Sequence, residues 1–129
     1  MPEATRELLA QYRLEKAREC LADAQAELER RSYSAAANRS YYAIFHAIRA
    51  ALALVDFDAK KHSGIISEFR KQYIKSGQIP MEYSDIITAA FNIRGKSDYD
   101  DFYVVAKEDI ITQTANAELF IKAISELLS

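Results

Sequence analysis

Hydrophobic positions recur at steps of three and four along most of this chain, a spacing that predicts helices. The strongest pattern lies between Tyr33 and Val55, YSAAANRSYYAIFHAIRAALALV, where Tyr41, Ile44, Phe45, Ile48, Leu52 and Val55 fall on one stripe. The opposite face carries Ala35, Arg39, Ala43, His46, Ala50 and Ala53: small side chains that let another helix approach, interrupted by two long polar ones. Arg39 and Arg49 are the only formal charges in the segment, so this helix is expected to be covered all round.

The flanking segments fill out a bundle. A first helix is predicted from about Thr5 to Arg30, with Thr5 as N-cap and Glu7 in the first turn. Its narrow stripe is Leu14, Ala17, Leu21, Ala24 and Leu28, with Cys20 beside it as a small packed side chain, and its other faces are charged and solvated. The short turn at Arg31 and Ser32 makes the first two helices antiparallel neighbours. After VDFDAKKHSG breaks the pattern, Asp58 or Ser63 is expected to cap a third helix that buries Ile65, Ile66, Phe69 and Tyr73 and stops at Gly77. Pro80 suits the first turn of a fourth helix, with Tyr83, Ile87, Ala90, Phe91 and Arg94 on one face and Gly95 at its end. A loop with Tyr99, Phe102 and Tyr103 packed down on the bundle leads to a closing helix, about Lys107 to Leu128, lined by Ile110, Thr114, Ala117, Ile121, Ile124 and Leu128. The expected fold is all-α, an up-and-down antiparallel bundle of four to five helices forming a single domain over residues 1–129.

Composition narrows the function. With 129 residues, half of them hydrophobic, three glycines and two prolines, the chain suits one core of helices and short loops. Its formal net charge of −2 gives no overall field for nucleic acid, so any such contact needs a local basic patch. Lys60, Lys61, Arg70, Lys71 and Lys75 are the most basic cluster, either a solvated face or phosphate contacts. A single cysteine excludes an internal disulfide and a cysteine metal cluster. Asp98, Asp100 and Asp101 lack the closing glutamate of a calcium loop, and neither a metal nor a cofactor is expected. Asp98 is read instead as an acidic partner for Arg39 or Arg94, with Tyr99 lining the same cleft, and His62 as a histidine that bonds locally. The start has no signal-peptide pattern, and the one long apolar segment carries two arginines and a histidine. The expectation is a cytoplasmic protein with no membrane span.

Arg39 and His46 stand seven residues apart, which on a helix directs them within about 20° of each other and about 10.5 Å apart along the axis. Both could reach one phosphate-sized group. On spacing alone the favoured reading is structural: Arg39 pairs with an acidic residue of a neighbouring helix while His46 bonds a backbone carbonyl.

The segment NRSYYAIFHA, with Arg39 followed after six residues by His46, resembles the R-x4-6-H motif of HEPN domains. KKHSGIISEFRKQYIKSGQIP and RGKSDYDDF resemble the small stand-alone prokaryotic members, so the similarity covers roughly residues 5–128. It implies a helical bundle that dimerises through the motif helix. Many such proteins are metal-independent endoribonucleases, often the toxin of a toxin and antitoxin pair whose partner is a minimal nucleotidyltransferase. Others bind nucleotides or RNA without catalysis. This chain has Ser40 where the family often has Asn, Asp or His after the motif arginine. It has Ile48 where one toxin branch carries the tyrosine that its partner modifies.

Cleaving RNA without metal requires a proton acceptor for the 2′-hydroxyl, charge stabilisation at the phosphate and a proton donor for the leaving oxygen. Histidine can exchange protons near neutrality, and arginine can bond two phosphate oxygens at once. Arg39 and His46 are therefore the expected catalytic residues, and Asn38, Ser40, Tyr42, Asp98, Tyr99, Lys60 and Lys61 the expected substrate contacts. Tyr42 is read evenly as a substrate contact or a packed aromatic. Two motif helices meeting through the alanine face would bring two Arg39 and two His46 side chains into one cleft. The competing reading is a non-catalytic module that binds a nucleotide or RNA, or docks a nucleotidyltransferase.

Overall fold

The computed structural model describes residues 1–129 as five α-helices without a strand. They are α1 (Glu3–Glu29), α2 (Tyr33–Ala53), α3 (His62–Phe69, continued by a π-helical turn Arg70–Ile74), α4 (Glu82–Tyr99) and α5 (Lys107–Leu128). None is long and apolar enough to cross a membrane. The all-helical bundle is the one the periodicity predicts, and α2 packs against each of the other four helices.

Alanine explains that central position. Ala43, Ala47, Ala50 and Ala51 are completely buried, and side chains this short let a neighbouring backbone come close. The neighbour is α1, which brings Ala10, Leu14, Ala17 and Ala24 and runs antiparallel. Arg6 Nη1 donates to the Leu54 carbonyl, Arg13 Nη1 to the Arg49 carbonyl and Arg39 Nη1 to Cys20 Sγ, three ties that fix its course along α2. The small face with Ala43, Ala50 and Ala53 is thus filled from within the chain, which corrects the expectation that a second motif helix packs there.

Several boundaries also differ from the sequence reading. α1 begins after Pro2, with Arg6 N–H already donating to the Pro2 carbonyl, so Thr5 lies inside the helix and is not its cap. α3 starts after Lys61 without a side-chain cap. Ser63 is within the helix, and the Asp58 carboxylate instead accepts from Ala59 N–H, Arg13 and Arg49. Gly77, at φ 85°, does end the third helical segment. Gly95 does not end α4. The helix continues to Tyr99, supported by Arg94 Nε donating across one turn to Asp98 Oδ2 at 3.1 Å. Beyond it Tyr99 and Phe102 are 83% and 94% exposed, contrary to the packed loop expected, and only Tyr103 leans on the small second core of Ala36, Ala37, Val105 and Ile110.

Candidate functional site

Between Ala36 and Ala53, only five side chains of α2 are more than slightly exposed: Asn38, Arg39, Tyr42, His46 and Arg49. They follow one another at helical spacing and form one stripe, so the helix is not covered all round. The stripe left open is the polar one.

Arg39 has no carboxylate partner. Its Nε and Nη2 donate to Asn38 Oδ1 at 3.1 and 3.0 Å, and its guanidinium lies 5.3 Å from the centre of the Tyr42 ring. Asn38 thus holds the guanidinium in place while leaving its charge uncompensated, which suits an incoming anion. His46 makes no hydrogen bond within the chain, and neither ring nitrogen is sealed from solvent. Its ring sits 6.0 Å from Tyr42 and 6.3 Å from Phe45. Burial, and then the nearby charges of Arg49, Arg39, Lys16 and Arg13, push its pKa below the ordinary histidine value. His46 is therefore a neutral imidazole at pH 7, able to accept a proton. The acidic partner for Arg39 and the carbonyl partner for His46, which a purely structural role would supply, do not occur.

Tyr42 joins this motif to groups the sequence reading did not place there. Its hydroxyl accepts from Arg94 Nη2 at 3.3 Å, and the Arg94 guanidinium lies 5.4 Å from its ring and 5.0 Å from that of Tyr41. His62, expected to bond locally, reaches α2 instead. Its Nδ1 shares a 2.8 Å hydrogen bond with the Tyr41 hydroxyl, its ring stacks on Phe45 at 3.9 Å, and it meets Tyr42 edge-on at 5.8 Å. Burial, followed by Arg94 and Arg49, lowers its pKa. Burial pushes the Tyr41 hydroxyl up to about 12, so it stays protonated at neutral pH.

The remaining expected contacts divide. Ser40 is fully buried, donates to the Ala36 carbonyl at 2.7 Å and accepts from Gln113 Nε2 at 2.7 Å, so it ties α2 to α5 and does not face a substrate. Asp98 pairs with Arg94, one of its two expected partners, and not with Arg39. Tyr99 projects from the end of α4 and lines no cleft. Lys60 and Lys61 are exposed on the strap between Asp58, anchored to Arg49 at 3.1 Å, and His62, anchored to Tyr41. Arg70 is not a free phosphate contact. It bridges α3 to α4 through Ser84 and Thr88.

Comparison with known proteins agrees with the motif. The family model of the HEPN domain matches residues 10–127. A Thermotoga maritima protein named "UPF0332 protein" is 31% identical over 95% of this chain and 93% of its own length. Two Methanocaldococcus jannaschii proteins also align. "Putative toxin MJ0605" is 37% identical over 89% of this chain and 88% of its own length, and "Putative toxin MJ0142" is 32% identical over 74% and 65%.

Proposed function

The chain belongs to the HEPN domain family, and from that premise we propose that it is a metal-independent endoribonuclease acting as the toxin of a toxin and antitoxin pair. The observation that carries this reading is the open stripe of α2. There Arg39 holds an uncompensated charge and His46 an unbonded, neutral imidazole on either side of Tyr42 in the helix sequence. The names of the two Methanocaldococcus jannaschii relatives support the toxin assignment.

The chemistry follows from those states. Arg39 binds the scissile phosphate and offsets the charge that develops on its oxygens. His46 takes the proton of the 2′-hydroxyl as that oxygen attacks phosphorus, and the products are a 2′,3′-cyclic phosphate and a 5′-hydroxyl end. Asn38 positions Arg39, and Lys60 and Lys61 guide flanking phosphates from the strap. A second copy that dimerises through the motif helix would meet the polar stripe, since α1 occupies the alanine face, and would bring two Arg39 and two His46 side chains together. A minimal nucleotidyltransferase is the expected antitoxin, with control by a route other than a tyrosine at the Ile48 position.

The same cations would also suit a module that holds a nucleotide or RNA without cutting it. Incubating end-labelled RNA with the protein in EDTA separates the two. The ribonuclease reading expects cleavage with cyclic phosphate ends, abolished in Arg39→Ala and His46→Ala. Intact RNA with retained binding would favour the module.

A further inference from the structure

Within one protomer His46 leaves one proton transfer of the cleavage without a group, and the chain has just one other histidine. That residue shares the aromatic platform of the motif. Phe45 carries the His62 ring at 3.9 Å and the His46 ring at 6.3 Å, while Tyr42 lies 6.0 Å from His46 and 5.8 Å from His62. His62 Nδ1 is held by the Tyr41 hydroxyl, while Nε2 makes no hydrogen bond within the chain and stays in contact with solvent. Beside it stands Arg94, fixed by Asp98 and the Tyr42 hydroxyl. Two imidazoles and two guanidiniums, from α2, α3 and α4, therefore surround one half-buried tyrosine.

We propose that His62, oriented by Tyr41, is the second proton-transfer group of the cleavage. This rests on the ribonuclease reading and names a source for the acid within the protomer. The step balances within one protomer. The 2′-oxygen gives its proton to His46 and forms a bond to phosphorus. The bond from phosphorus to the 5′-oxygen breaks, its electron pair stays on that oxygen, and protonated His62 donates a proton to it. One imidazole gains the proton that the other loses, and exchange with water restores both.

The surroundings assign the roles. Arg39 and Arg49 of α2 and Arg13 and Lys16 of α1 face His46, whereas Arg94 of α4, with Arg49 and Tyr41 of α2, faces His62. His46, the motif histidine beside Arg39, is assigned as the base, and His62, held by Tyr41 beside Arg94, as the acid. Tyr41 is a positioning residue, because a hydroxyl that both donates and accepts holds Nδ1 in either protonation state.

Two measurements test this. In the pH dependence of RNA cleavage, the wild type should show a bell, and His62→Gln should lose the alkaline limb and about 10² in kcat with little change in KM. In a proton NMR titration of the wild-type chain, whose two histidines give a simple spectrum, uridine 3′-monophosphate should raise the pKa of both imidazoles. Wild-type cleavage that is abolished by His46→Ala yet keeps its bell and rate in His62→Gln would overturn the role of His62 alone. A nucleotide response confined to His46 would do the same even if the variant failed to fold. Absence of wild-type cleavage, with both imidazoles responding, would overturn the ribonuclease reading and with it proton transfer by either histidine.

Discussion

The two faces of α2 are built from the same helix and obey opposite rules. On the inner face Ala43, Ala47 and Ala50 have no exposed surface, and every polar group is spent on the fold, as Ser40 shows by bonding the Ala36 carbonyl and Gln113. On the outer stripe Arg39 lacks a carboxylate and His46 lacks any hydrogen bond. Buried polar groups in folded proteins are nearly always paired, and half-buried charged groups near a core usually find a partner. A stripe that leaves Arg39 without a carboxylate and His46 without any hydrogen bond, while Ser40 on the opposite face both donates and accepts within the fold, is arranged for something outside the chain.

Substitutions on the two faces should separate activity from stability. The largest effect expected is from His46→Ala, a loss of about 10² to 10⁴ in cleavage rate with the melting temperature nearly unchanged. Activity assay and thermal denaturation on the same preparation check it. On the inner face, Ala50→Leu forces extra volume against α1 and should cost about 1 to 3 kcal/mol in urea unfolding, with activity per folded molecule retained. Ser40→Ala should cost about 1 kcal/mol by the same measurement, because it withdraws one partner from Gln113 without touching the stripe.

A smaller effect distinguishes the charges on the stripe. Because burial, and then the cations around His46, lower its pKa, the base stays deprotonated, and cleavage persists, to a lower pH than an ordinary histidine would allow. Removing one of those cations raises the pKa, so Arg49→Ala should shift the acidic limb of the pH–rate profile upward. A downward shift or none would contradict the electrostatic account. The smallest effect expected is from Phe102→Ser, within about 0.5 kcal/mol in stability, since that ring is 94% exposed.

The sequence revealed what local patterns encode. α5 runs from Lys107 to Leu128 as predicted because a regular apolar stripe and acidic residues in the first turn both mark it. The buried set Ile65, Ile66, Phe69 and Tyr73 was legible for the same reason. The errors arose where one side chain's pairing or direction, and not the apolar pattern, decides. Gly95 read as a stop, but the pairing of Arg94 with Asp98 carries the helix past it. The alanine face read as a contact for another molecule, because periodicity shows that a face is small and not which helix fills it. Of the site, Arg39 and His46 were visible as a spaced pair. The contact of His62 with Tyr41 spans 21 positions, and nothing within either segment announces it. Ser40 failed as a substrate contact because adjacent helix positions point about 100° apart, which turned it from the stripe into the core.

The comparison of the two faces is tested most directly by measuring EDTA-resistant RNA cleavage and unfolding free energy for the wild type, His46→Ala and Ala50→Leu side by side. The account predicts that His46→Ala is folded but inactive, and that Ala50→Leu is less stable yet as active per folded molecule as the wild type. Full activity in His46→Ala, or inactivity of fully folded Ala50→Leu, would contradict it.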